Sequence, residues 1–161
     1  MKNERIIKCK ERVQKHGEVL TPKWLVRKML DSPGIREACN EVATTFLEPS
    51  AGEGAFLVEI LKRKLKIAAK KYNMSLTQLE NYSLLALSSL YGIEILEDNT
   101  RICVMNMFQV FFEFYQQQAE KYGKKMKQKV LDSAKVIISA NIVQGDFLTK
   151  KCSNNEPIAF S

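Results

Sequence analysis

At 161 residues, 45% apolar and 27% charged, the chain is long enough for one packed domain and too apolar to be globally disordered, while its net charge of +7 favours acidic partners, nucleic acid first. Four scattered cysteines without a Cys-x-x-Cys pair, and His16 as the one histidine, argue against a zinc site and against Ser-His-Asp or Cys-His chemistry. No run reaches the ~18 apolar residues of a membrane span, and the charged start Met1–Ile7 lacks a signal-peptide core, so a soluble, cytoplasmic protein with free thiols and no membrane partner is expected.

Asn3 to Lys15 reads as a charged helix broken by Gly17. Thr21-Pro22 then opens a helix over Lys23–Leu30, with Thr21 as its cap, and Asp31-Ser32-Pro33-Gly34 ends it with turn chemistry. Thr44–Glu48 is a short strand. After a turn containing Gly52 and Gly54, Ala55–Tyr72 reads as a helix, because Phe56, Leu57, Ile60, Leu61 and Leu65 fall at helical spacing. Its Lys62, Arg63, Lys64, Lys66, Lys70 and Lys71 read as a solvated outer face and end.

Ser75–Leu87 is a further helix, with Ser75 as cap and Gln78 as its capping-box partner. Leu90–Glu94 is a second strand. A long helix starts at Asp98, Asn99 or Thr100 and reaches about Glu120; its Phe108, Phe111, Phe112, Phe114 and Tyr115 cover most of the circumference, so burial on more than one side is expected. Lys121–Lys129 is a basic link. The apolar run Val136-Ile137-Ile138 is too short for its spacing to assign a type. Asn141–Phe147 reads as a third strand, and the tail from Lys150 as turns. Strands alternating with helices predict an α/β fold with parallel strands and right-handed crossovers.

Each strand-like run closes on an acid: Glu48, Glu94 and Asp146. In an open parallel sheet the C-terminal strand ends form the ligand crevice, so the three acids are expected to line one edge of one pocket. A glycine turn flanked by Glu48 and Glu53 repels a phosphate and suits a cation or an amine. S-adenosylmethionine (SAM) carries a sulfonium and an ammonium. Glu94 is placed to accept from a ribose diol, Ile95 to lie against an adenine, Asp146 to accept from an exocyclic amine, and Phe147 to flank the ring. Glu94 lies well beyond the usual ~20 residues after the glycine turn, because the Ser75–Leu87 helix intervenes.

Four segments, Gly17-Glu18-Val19-Leu20-Thr21-Pro22, Leu47-Glu48-Pro49-Ser50-Ala51-Gly52-Glu53-Gly54-Ala55-Phe56, Tyr91-Gly92-Ile93-Glu94-Ile95 and Gln144-Gly145-Asp146-Phe147, together resemble motifs of SAM-dependent DNA adenine-N6 methyltransferases of restriction–modification systems. The resemblance spans about residues 15–148. It implies a Rossmann-like domain over 41–148 limited to the first three strands, an N-terminal helical segment over 1–40 that contributes to the cofactor pocket, and a tail over 149–161. It also implies that Gly17, Val19, Leu20, Thr21 and Pro22 cradle the methionyl end of SAM. Glu48, Ser50, Gly52 and Gly54 form the glycine-loop wall, Glu94 and Ile95 hold ribose and adenine, and Asp146 and Phe147 hold the adenine amine and ring.

The family's catalytic Asp/Asn-Pro-Pro-Tyr/Phe signature has no counterpart, since Pro22, Pro33, Pro49 and Pro157 stand apart. No catalytic residue is therefore assigned, and the chain is expected not to turn over by itself. The first strand is expected to be an apolar sheet edge that a catalytic or specificity subunit, a second copy, or the tail covers, with DNA engaged by the fuller complex. Two other readings stay open: a non-catalytic SAM- or partner-binding regulator derived from a methylase, and a SAM enzyme acting on RNA or protein.

Overall fold

Three apolar runs that end in acids form adjacent parallel strands: β1 (Phe46–Glu48), β2 (Leu90–Glu94) and β3 (Ile142–Asp146). A two-residue strand, β4 (Lys151–Cys152), folds back antiparallel on β3, giving the order β1-β2-β3-β4. The computed structural model describes residues 7–160. Among these, no helix is long and apolar enough to cross a membrane.

Three helices precede the sheet. In α1 (Lys10–His16) the cap is the thiol of Cys9, which accepts from the Arg12 N–H, and Gly17 ends the helix at a φ of +62°. The predicted beginning of this helix, residues 3–6, lies outside the described residues. α2 (Lys23–Leu30) matches its predicted span, but Thr21 does not cap it: extended Pro22 holds the cap position and no side chain bonds there. The segment read as a turn continues into a short helix, α3 (Ile35–Cys39), where the Glu37 carboxylate accepts from the Gly34 N–H.

Each crossover between parallel strands contains two helices. α4 (Ala55–Lys71) and α5 (Leu76–Ser88) join β1 to β2; α6 (Glu97–Lys121) and α7 (Gln128–Asn141) join β2 to β3. α4 touches α5 and α6, and α7 touches α5 and α6, so the helices close a ring. α6 alone is about 37 Å long against about 16 Å for a five-residue strand, so the ring extends well past the strand starts. The undecided run Val136–Ile138 belongs to α7; Val130, Leu131, Ala134 and Ile138 recur at helical spacing and are buried, while Val136 is exposed. Ser75 caps α5 as expected, but the Gln78 side chain accepts from the Met74 N–H, one residue before the cap.

The core lies between the sheet and these helices, where Leu57, Leu61, Leu65, Leu90, Met107, Phe111 and Ile138 are buried. Each such side chain contributes about 1.5–3 kcal/mol. Phe111 and Tyr115 of α6 are buried and Phe108, Phe112 and Phe114 half-buried, matching burial on several sides.

Lys64 corrects the reading of α4. It is fully buried, and its ammonium donates to the carbonyls of Glu41, Val42 and Thr44 and to the Ser89 hydroxyl. It sits on the helix stripe of Leu57, Ile60, Leu61, Leu65 and Ala68, not on the solvated face.

The tail covers the other face of the sheet. Phe160 meets Tyr91 edge-on with ring centroids 5.0 Å apart, and Ile158 lies against Gly145, where a Cβ would stand 2.8 Å from its Cδ1. The tail thus pairs with β3 and does not cover β1. Among the described residues nothing pairs with the outer side of β1, where Leu47 is 48% exposed.

Candidate functional site at the strand ends

The ladder register places the three acids. Glu48 is level with Gly92, and Gly92 with Ile142; Glu94 is level with Gln144. Each acid therefore stands two residues, about 6.6 Å, further along its strand than the previous one. All three fall on the same alternation of the pleat, at the C-terminal rim of one sheet.

Each carboxylate is held by backbone N–H groups. Glu94 is buried; one oxygen accepts from the Gly52 N–H at 2.7 Å and the other from the Leu96 N–H at 2.9 Å. Asp146 accepts from the Leu148 N–H at 2.8 Å, closing its own turn. Glu48 accepts from the Ser50 N–H at 3.2 Å, and burial raises its carboxyl above the ordinary range.

Among the described residues, none of these acids has a lysine or arginine within 4 Å. Glu11, Glu18, Asp31, Glu37, Glu41, Glu53, Glu59, Glu80, Glu97, Asp98 and Asp132 all do. The remaining described acids without a cation, Glu113, Glu120 and Glu156, are exposed and bonded to side-chain amides. Carboxylate oxygens accept more than one hydrogen bond, so the strand-end acids keep capacity for a ligand's donors or its positive charge.

The glycine loop is tied to the second strand. The Ala51 N–H bonds to the Ile93 carbonyl, Glu94 takes the Gly52 N–H, and the Gly54 N–H returns to Ala51. Gly52 and Gly54 adopt φ values of +54° and +87°. Gly54 has a second constraint: a Cβ there would lie 2.7 Å from the buried Cys103 sulfur of α6. Ser50 of the same loop is exposed.

A charged network not foreseen from the sequence brings the N-terminal segment to this rim. Arg12 bridges Glu18 and Asp98, Asn99 donates to Glu18 at 2.7 Å, and Lys8 reaches Glu53 at 2.7 Å and Asn99 at 2.6 Å. The Arg12 guanidinium, through hydrogen bonds, holds the Glu18 and Asp98 carboxyls below their ordinary range. Glu18 lies inside the Gly17–Pro22 segment, so these bonds fix that segment beside the glycine loop and the start of α6. Within it Val19 is exposed and Leu20, Thr21 and Pro22 are partly buried. The spacing of Arg12, Glu18 and Asp98 along the chain carries no local pattern; the acids at the first turn of α6 were the one available hint.

The expectation of a single shared pocket is not met. A cavity of about 370 Å³ is lined by Ile95, Gln144 and Asp146 together with Thr149, Lys151 and Cys152 of the tail. A second, of about 280 Å³, lies along the β1 edge between Met29, Ile35, Leu47, Glu48 and Phe56. Asp146 lines the first, Glu48 the second and Glu94 neither. Their backbone bonds account for this: Glu94 is drawn under the glycine loop, while Glu48 stays on the edge strand. Phe147, at 44% exposure, flanks the rim outside the first cavity. Among the described residues no group of three His, Cys, Asp or Glu side chains is placed to hold a metal. No protein-family model, curated protein or solved structure matches the chain.

Proposed function

We propose that the chain is the SAM-binding part of a DNA adenine-N6 methyltransferase of a restriction–modification system. One observation carries this reading. In a chain with 25 basic residues, the acids at three successive parallel strand ends have no lysine or arginine nitrogen within 4 Å among the described residues, although Lys151 stands opposite Asp146 on β4 and lines the same cavity. Such a rim suits a ligand that brings positive charge and hydroxyl or amine donors and disfavours a phosphate.

The residues present fit SAM in kind. Asp146 and Ile95 share a cavity that has room for a purine, Glu94 lies beneath the adjoining loop with lone pairs to spare, and Gly17–Pro22 is fixed beside that loop. Bound there, SAM would supply an electrophilic methyl group. The chain's own residues would bind and orient it, and without a Pro-Pro signature they offer no group to receive the target amine. That absence favours a second reading, a non-catalytic SAM- or partner-binding regulator derived from such a methylase. Calorimetric titration with SAM tests what both share: saturable, one-to-one uptake is expected, and no heat or protection at millimolar SAM would contradict it.

The uncovered side of β1 is where this reading places the partner subunit or second copy. The apolar cavity beside it, with exposed Met29, Ile35 and Leu47, leaves that edge prone to association. Light scattering on the size-exclusion peak should give a mass above the 18.4 kDa of one chain, alone or with the partner. A monomer under both conditions would remove the edge from the account.

A further inference from the structure

We propose that the end of the molecule farthest from the strand-end acids is a second binding surface, for the phosphate backbone of double-stranded nucleic acid. α4 and α6 both begin at the rim, lie side by side, and end together, where the Tyr122 hydroxyl donates to the Asn73 carbonyl at 2.6 Å. The length of α6 puts this end about 37 Å from the rim.

Lys66 and Lys70 of α4, Lys121 at the end of α6, Lys124 and Lys125 in the link, and Lys129 in the first turn of α7 gather around it. All are exposed. Among the described residues none has an acid within 4 Å: Glu41 is engaged by Lys71, Glu80 by Lys127 and Asp132 by Lys135, and Glu120, the one neighbouring acid without a cation, is bonded to the Gln116 amide. Cations near a helix C-terminus are ordinary when they bond the last carbonyls, but none of these six does so. Six lysines against the single carboxylate of Glu120 leave an excess of like charge, which favours a polyanion.

The chemistry of the patch narrows the partner. It contains lysines and no arginine, so it meets phosphates as point charges and lacks the planar fork that reads a base. The rings at this end are taken: Tyr72 and Tyr82 stack on each other with centroids 3.4 Å apart, and the Tyr122 hydroxyl is bonded to Asn73. No ring at this end is fully exposed among the described residues, so a duplex met through its phosphates fits better than a single strand that needs a stacking platform. The inference is independent of the cofactor reading.

The test is the salt dependence of binding to a duplex of about 20 bp and arbitrary sequence. The quadruple variant Lys70→Gln, Lys121→Gln, Lys124→Gln, Lys125→Gln should bind at least tenfold more weakly near 0.1 M salt, and the slope of log K against log salt should fall by roughly 3 to 4. Its SAM uptake should be unchanged. A charge-matched control, Lys10→Gln, Lys15→Gln, Lys28→Gln, Lys150→Gln, should keep the wild-type slope. The same loss in both variants, an unchanged slope in the first, or a preference for single strands would overturn the proposal. So would tighter binding to anionic vesicles or polyglutamate that duplex does not displace.

Discussion

Lys64→Met is expected to lower the unfolding free energy by about 3 kcal/mol, since each buried acceptor left without a donor costs about 1–3 kcal/mol. Methionine matches the length and apolar body of lysine, so the loss isolates the ammonium. That group bonds three carbonyls of the segment leading into β1 and, through Ser89, the residue before β2; it also stands 5.2 Å from the Phe46 ring centre. Urea denaturation measures the change. A loss below about 1 kcal/mol would mean that water replaces the amine at no cost.

The same residue predicts a pH signature. Burial lowers the Lys64 amine from 10.5 to about 8. Between those values the unfolded chain holds a proton that the folded chain has released, so stability from this group rises with pH. Cys103 works in the opposite direction: burial raises its thiol from 9.0 to about 12, and above pH 9 the unfolded thiol ionises first, which removes stability. Burial raises the Cys39 thiol as well, so both thiols oppose Lys64, and the contribution of Lys64 is read as the difference between wild type and a variant without the amine. From about pH 8 upward wild type should gain stability relative to Lys64→Met, and a difference independent of pH would contradict the assignment.

Gly54→Ala is expected to cost about 3 kcal/mol, from about 1–2 kcal/mol of left-handed backbone strain and about 1–3 kcal/mol of overpacking. Its φ of +87° disfavours any side chain, and the added methyl would meet the Cys103 sulfur at 2.7 Å. Cys103 is fully buried and cannot swing away, so α6 would have to shift. Gly52→Ala is the internal control: its φ is +54° but its surroundings are open, so only the strain of about 1 kcal/mol should register. Adding Cys103→Ala to Gly54→Ala should recover the steric part. If the two glycine variants unfold at the same denaturant concentration, the close approach of α6 is not what requires glycine at position 54.

Helical spacing was sufficient for α4, the Ser75 cap for α5, the aromatic girdle for α6 and apolar runs closed by acids for the strands, and the alternation of strands with helices gave the parallel order. Lys64 was misread for a physical reason. A lysine is ordinarily solvated, yet position 64 continues the buried stripe of Leu57, Ile60, Leu61, Leu65 and Ala68 in phase; the carbonyls that satisfy it come from a loop about twenty residues away. α3 is a single turn of helix after Gly34, too short to show a period, and β4 forms only because the tail folds back on β3.

The strand-end acids were legible, since each closes an apolar run, and their rim follows from parallel pairing. Their separation between two cavities was not legible. It depends on which backbone N–H each carboxylate accepts from, and Glu94 reaches Gly52 across 42 positions of sequence. The network of Lys8, Arg12, Glu18, Asp98 and Asn99 is likewise long-range, so no local pattern announces it.

The central claim is that the acid under the glycine loop belongs to a site for a positively charged, ribose-bearing cofactor. Calorimetric titration of SAM into wild type and Glu94→Ala, at matched folded fraction, tests it most directly. A loss of at least tenfold in affinity, about 1.4 kcal/mol, is predicted; equal affinity in a folded variant would contradict it.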